Sequence, residues 1–188
     1  MSRLLLLVKH SLPEVQDDLP ARAWRLSEEG RMRAARLAEK LRPFQVEIIF
    51  SSKEPKAVET AQIVAADFQV PLHLAEGLHE HERDSVPLLS RPEFEQSIRA
   101  LFERPDALVF GSETANHAQA RFSRAVQLLL TQYESHTIAI VTHGTVISLF
   151  VSRLVGCSGY SFWKELGLLS FVVLDMESNK LVALENIQ

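Results

Sequence analysis

The chain has 188 residues, 46% of them hydrophobic and 23% charged, with 7 Gly and 8 Pro, which fits one folded domain over residues 1–188 and excludes fibrous and disordered classes. Lys plus Arg number 20 against 24 Asp plus Glu, a net charge of -4, so no overall positive field gathers nucleic acid or anionic lipid. The apolar runs fall well short of the ~20 residues of a membrane-spanning helix, no leader peptide is read at the N-terminus, and the lone Cys157 excludes an internal disulfide, which together predict a cytoplasmic protein.

Leu4 to Val8 reads as the first strand, and the polar residues Lys9, His10 and Ser11 follow it. Ser27 caps a helix with Glu28 and Glu29 in its first turn and Ala34, Leu37, Ala38 and Leu41 on one face, ended by Pro43. Val46 to Phe50 is the second strand, closed by Ser51 and Ser52. Pro55 then suits the first position of a helix whose Ala57, Ala61, Val64 and Phe68 form a buried stripe, with Lys56 in its first turn. Pro71 to Leu74 is a short run leading into a loop that carries His79, Glu80, His81, Glu82 and Arg83.

Ser90 and Glu93 form a capping box before Phe94, Ile98 and Leu101, and Ala118, Phe122, Ala125 and Leu129 mark a longer helix. These two predict a small helical insertion. Thr137 to Thr142 is the third strand, followed by His143, Gly144 and a helix apolar nearly all round from Val146 to Val155. Phe171 to Leu174 and Leu181 to Leu184 close the chain as a hairpin. The alternation predicts a three-layer α/β/α sandwich with a mostly parallel central sheet and C-terminal hairpin strands.

Three strands thus end in polar residues that a purely structural domain does not need. Ligands of open α/β sheets bind at the carboxyl ends of strands, so His10 and His143 are candidates to face one cleft. Two imidazoles, the ammonium groups of Lys9 and Lys56 and the N-termini of two helices suit a phosphate. A neutral imidazole is nucleophilic near pH 7 if its other nitrogen donates a hydrogen bond that fixes the tautomer. Glu80 is the candidate acid for a departing alkoxide, with Glu82 as its rival, because the loop has no periodicity to separate them. His79, Glu80 and His81 lack a further ligand, so neither a metal nor another cofactor is expected.

Lys9-His10-Ser11, Leu26-Ser27-Glu28-Glu29-Gly30, Ser51-Ser52 through Lys56-Ala57-Val58-Glu59-Thr60-Ala61, Leu78-His79-Glu80 and Val141-Thr142-His143-Gly144 resemble, in order, the motifs of the histidine phosphatase, or phosphoglycerate-mutase-like, superfamily. The resemblance covers nearly the whole chain. It implies that His10 is the nucleophile forming a phosphohistidine, that His143 stabilises the transferring phosphoryl group, and that Lys9, Lys56, Ser11 and Gly144 contact a small phosphorylated substrate. Arg83, in the loop after Glu80, is a candidate to reach the cleft and supply a guanidinium, with an exposed loop arginine as the alternative reading. The family pattern has Arg-His-Gly in place of Lys9-His10-Ser11 and Arg in place of Lys56, and both exchanges keep charge while losing a planar fork. The reading is a phosphomonoesterase. A mutase and a phosphate-binding module with little turnover are the alternatives, and substrate and oligomeric state stay open.

Ser112, Glu113 and Thr114 are explained by capping of the next helix. Cys157 has Trp163 rather than Arg six positions on, against a cysteine phosphatase, and His73, His117 and His136 read as surface or packing residues.

Overall fold

The computed structural model describes residues 3–187. A six-stranded sheet forms its centre: β1 (Leu4–Lys9), β2 (Ile48–Ser51), β3 (Leu72–Leu74), β4 (Ile138–Thr142), β5 (Ser170–Asp175) and β6 (Lys180–Asn186), in the order β3-β2-β4-β1-β5-β6. The pairs β3 to β2, β2 to β4 and β4 to β1 are parallel, while β5 joins β1, and β6 joins β5, antiparallel. The C-terminal pair is the expected hairpin. β3 is a strand that the sequence presents only as a short run, because its three residues sit on the edge and are half-buried or exposed. The second strand starts at Ile48 rather than Val46, since the chain leaves the 3-10 turn Arg42–Phe44 through the left-handed Gln45 and joins the ladder only at Ile48.

β1, β2 and β4 are buried on both faces, which is why they read as continuous apolar runs without alternation. Leu6, Val8, Ile49 and Val141 meet α1 (Glu28–Leu41) and α2 (Pro55–Phe68) on one side. Leu5, Leu7, Phe50 and Ile140 meet the other layer, made of α3 (Arg91–Glu103), α4 (Ala115–Gln132), α5 (Gly144–Val155) and α6 (Gly159–Glu165). The helical insertion is therefore built into the sandwich: Ile98 and Leu101 of α3 and Phe122 of α4 are fully buried in the same core as Ile147 of α5. Among the described residues no helix is long and apolar enough to cross a membrane.

The topology opens a crevice at the carboxyl ends of β1 and β4. From β1 the chain crosses β4 to reach β2, and from β4 it crosses β1 to reach β5, so the two connections leave in opposite directions. Register does the rest. Lys9 pairs with Thr142, and the His10 N–H donates to the Thr142 carbonyl at 2.9 Å, so the residues just after both strands lie side by side.

Candidate active site

His10 and His143 have ring centroids 5.1 Å apart, edge to face. The His10 Nδ1 lies 2.7 Å from the Ser11 carbonyl oxygen, which can only accept, so Nδ1 carries the hydrogen and Nε2 keeps its lone pair. Burial, then His143 and the Lys56 ammonium, hold the His10 imidazole well below its usual range, so it is neutral at pH 7. The segment around it is anchored twice. The Ser11 N–H donates to Thr60 Oγ1 of α2 at 3.0 Å, and both the N–H and the hydroxyl of Ser27 donate to the Leu12 carbonyl. Gly30 lets α1 come this close: a Cβ there would stand 2.1 Å from the Leu12 oxygen. The Leu26 to Gly30 motif thus fixes the backbone that follows His10. Ser11 Oγ is buried with no hydrogen-bond partner.

His143 is fully buried at the N-cap of α5. Its Nε2 is 2.9 Å from Ser52 Oγ and 3.3 Å from Glu54 Oε1, and its Nδ1 has no partner. Burial and then Lys56 depress its pKa well below the ordinary value, outweighing Glu80. The Lys56 ammonium is buried too, and it donates to the Ala21 carbonyl and to Glu54 Oε2, both at 2.6 Å.

Lys9 takes a different path. Its ammonium donates to the Leu166 carbonyl at 3.1 Å, and its chain fills the space beside Gly144 where a Cβ would meet Lys9 Cε at 3.1 Å and Nζ at 3.2 Å. Gly144 is thereby explained as the residue that makes room for this side chain at the start of α5. Burial lowers the Lys9 pKa from 10.5 to about 8, with Glu80 opposing and Arg83 assisting.

Glu80 faces the site and Glu82 does not. The Glu80 carboxylate accepts from the N–H groups of Thr145 and Val146 in the first turn of α5, at 3.2 and 3.3 Å, and lies 3.4 Å from Arg83. Glu82 is turned outward to His79. Burial by itself would raise the Glu80 pKa, but Arg83, His143 and the donated amides outweigh it and hold the carboxyl well below its usual range. In this resting arrangement Glu80 is a carboxylate capping a helix rather than a proton donor. Arg83 is not the exposed loop arginine its position suggests. Its guanidinium lies over the rings of Phe94 and Phe110, 5.0 and 5.8 Å from their centroids, and reaches Thr145 Oγ1 at 3.4 Å.

Three residues that sequence reasoning missed, or explained otherwise, hold this arrangement. Arg121 of α4 donates to the carbonyls of Gly77, His79 and Glu80 at 2.8, 3.0 and 3.2 Å, pinning the loop that carries Glu80. Glu113 is more than a capping residue: its buried carboxylate holds Arg121 at 2.9 and 3.0 Å, while Thr114 does the capping of α4. Glu54, just before Pro55, bonds Lys56 and the Glu80 backbone, and no spacing signal in the sequence sets it apart. Among the described residues no group of three or more His, Cys, Asp or Glu is arranged to hold a metal.

Solved structures share this architecture. The phosphoserine phosphatase of Entamoeba histolytica, in complex with 3-phosphoglyceric acid, is 21% identical with a TM-score of 0.80 over 99% of this chain and 98% of its own. A mycobacterial glucosyl-3-phosphoglycerate phosphatase is 21% identical with a TM-score of 0.72, over 92% and 90%. Bacillus stearothermophilus YhfR is 22% identical with a TM-score of 0.75, over 96% and 94%. Curated protein sequences yield no significant match. The sequence matches one family from the end of β1 to the last residue of β6, residues 9–186, and on that extent the chain belongs to the histidine phosphatase superfamily (branch 1).

Proposed function

We propose that the protein is a phosphatase that hydrolyses a small phosphomonoester through a phosphohistidine at His10. The observation that carries this reading is the His10 imidazole itself: neutral, with Nδ1 bonded to Ser11 and Nε2 left as the nucleophile, beside His143 and the cations Lys9 and Lys56. The phosphatase relatives of similar fold, one for phosphoserine and one for glucosyl-3-phosphoglycerate, support a small phosphorylated substrate.

In this mechanism Nε2 attacks phosphorus in line with the ester oxygen. The P–N bond forms as the P–O bond breaks, while Lys9, Lys56, His143 and the first amides of α5 stabilise the phosphoryl oxygens. Glu80 must give a proton to the leaving oxygen, and in the resting site it has none to give. A phosphate dianion entering beside it changes that balance, because it competes for the Thr145 and Val146 amides and opposes a second negative charge, both of which raise the Glu80 pKa. Water then attacks the phosphohistidine with Glu80 as base, which releases phosphate and restores the neutral imidazole.

The test is trapping. Rapid denaturation during turnover of a labelled aryl phosphate should leave acid-labile, alkali-stable label on the wild type and none on His10→Ala. Full turnover by His10→Ala would remove the proposal, and binding of phosphate without turnover by the wild type would favour the binding module.

A further inference from the structure

Glu54 stands at the N-cap of α2, yet its side chain accepts no capping hydrogen bond from the backbone of that helix. Its carboxylate, only 10% exposed, serves other groups. Oε2 accepts from the Lys56 ammonium at 2.6 Å, and Oε1 accepts from the backbone N–H of Glu80 at 2.8 Å and lies 3.3 Å from His143 Nε2. Glutamate is not among the favoured N-cap residues, so helix formation does not account for an acid buried at this junction.

An acceptor beside Nε2 decides where the His143 proton resides. Ser52 Oγ, at 2.9 Å from the same nitrogen, can donate or accept. An ionised carboxylate can only accept, so its approach is attractive only when Nε2 carries the hydrogen. That leaves Nδ1, buried and without a hydrogen-bond partner, as the nitrogen His143 presents to a ligand. The pattern is the converse of His10, whose Nδ1 is taken by Ser11 and whose Nε2 remains. When a phosphoryl oxygen arrives, Nδ1 must become a donor, and the resulting imidazolium has the Glu54 carboxylate as its counter-charge.

Lys56 supplies a second, independent reason. An ammonium on a flexible stem has no planar fork to orient it. Here Glu54 and the Ala21 carbonyl together occupy two of its three N–H groups.

We infer that Glu54 is a positioning residue: one carboxylate fixes the Lys56 ammonium, sets the His143 proton on Nε2 and ties down the backbone of Glu80, so that a lysine at position 56 functions only with an acid at position 54. What the three held groups accomplish rests on the phosphoryl-transfer reading above, whereas the tautomer can be read in the resting protein.

Nitrogen-15 imidazole spectra of the wild type should show His143 in the Nε2–H form. Glu54→Gln, which keeps shape and loses charge, should lower kcat/KM and weaken inhibition by orthophosphate, each by roughly tenfold to a hundredfold, the loss of one charge-assisted bond. Its thermal midpoint should stay within a few degrees of wild type. Lys56→Met should show a similar loss, and the double variant should lose clearly less than the product of the two single losses, because part of what Glu54 does acts through the Lys56 ammonium. An Nδ1–H tautomer, tighter orthophosphate inhibition in Glu54→Gln, or fully additive losses would each overturn the inference; tighter inhibition would mean that the carboxylate merely repels the anion. A wild type with the Nε2–H tautomer that neither binds orthophosphate nor turns over would sink the phosphatase reading and leave the positioning of His143 by Glu54 standing.

Discussion

Lys9 should set both the alkaline limit of activity and a stability cost. Its pKa is lowered from 10.5 to about 8, chiefly by burial, so the ammonium is about nine-tenths formed at pH 7 and about one-tenth at pH 9. If its charge stabilises the phosphoryl oxygens, kcat/KM should be flat below pH 8 and fall about tenfold per unit above it. Stability follows from the same shift. The folded-state pKa of this cation is depressed, so the cost of charging it is fully present below about 8 and is relieved as pH rises from there to 10.5. The difference corresponds to about 3 kcal/mol. Lys9→Met removes that cost and forfeits the bond to the Leu166 carbonyl, worth about 1 kcal/mol. The net gain at pH 7 is about 2 kcal/mol, or roughly 4 to 8 °C in the thermal midpoint, and near pH 11, where only the forfeited bond counts, it should reverse to a loss of about 1 kcal/mol. The assays are a pH profile of aryl phosphate turnover and thermal melts of both proteins at pH 7 and 11. Lys9→Met should be inactive or nearly so while melting higher at pH 7. A variant that melts lower at pH 7, or a wild-type profile with no fall above pH 8, would refute the argument.

Lys9→Arg should lower rather than raise activity despite matching the family pattern, because the larger guanidinium has to fit where the Lys9 chain already fills the space that a Cβ on Gly144 would take; kcat/KM measured beside wild type decides the sign. Glu80→Gln should slow an alkyl phosphate far more than a nitrophenyl phosphate, since only the poor leaving group needs its proton, and equal slowing of both would remove Glu80 as the general acid. Glu113→Ala leaves the largely buried Arg121 without its carboxylate, so it should cost about 3 to 5 kcal/mol in chemical denaturation and lower kcat through the loosened Glu80 loop.

Much of the molecule is written locally in the chain. The apolar runs of β1, β2 and β4, the Ser27 cap, the capping box at Ser90 and Glu93 and the Pro55 start of α2 are short-range signals that the structure retains. The pairing of His10 with His143 follows from their strand-end positions once β1 and β4 lie next to each other in parallel, because parallel register puts equivalent strand ends side by side. Position after a strand is a backbone property, and backbone properties follow the sequence closely.

Side-chain partnerships do not, because they join segments far apart in the chain whose meeting is decided only when both cores close. No spacing rule links Glu54 to His143, Lys9 to Leu166, or Arg121 to the carbonyls of Gly77 to Glu80. The choice between Glu80 and Glu82 is of the same kind: two acids in an aperiodic loop look equivalent until α5 offers its free amides to one and solvent takes the other. Charge state comes last. The Glu80 carboxyl is pushed down by its neighbours against the effect of burial, and the Lys9 ammonium is pushed down by burial itself, in surroundings that only the packed tertiary structure brings together. The sequence by itself determined the layers, the strand ends and the two histidines; the tertiary structure decided which polar atoms are paired, which are left for a ligand and which carry charge.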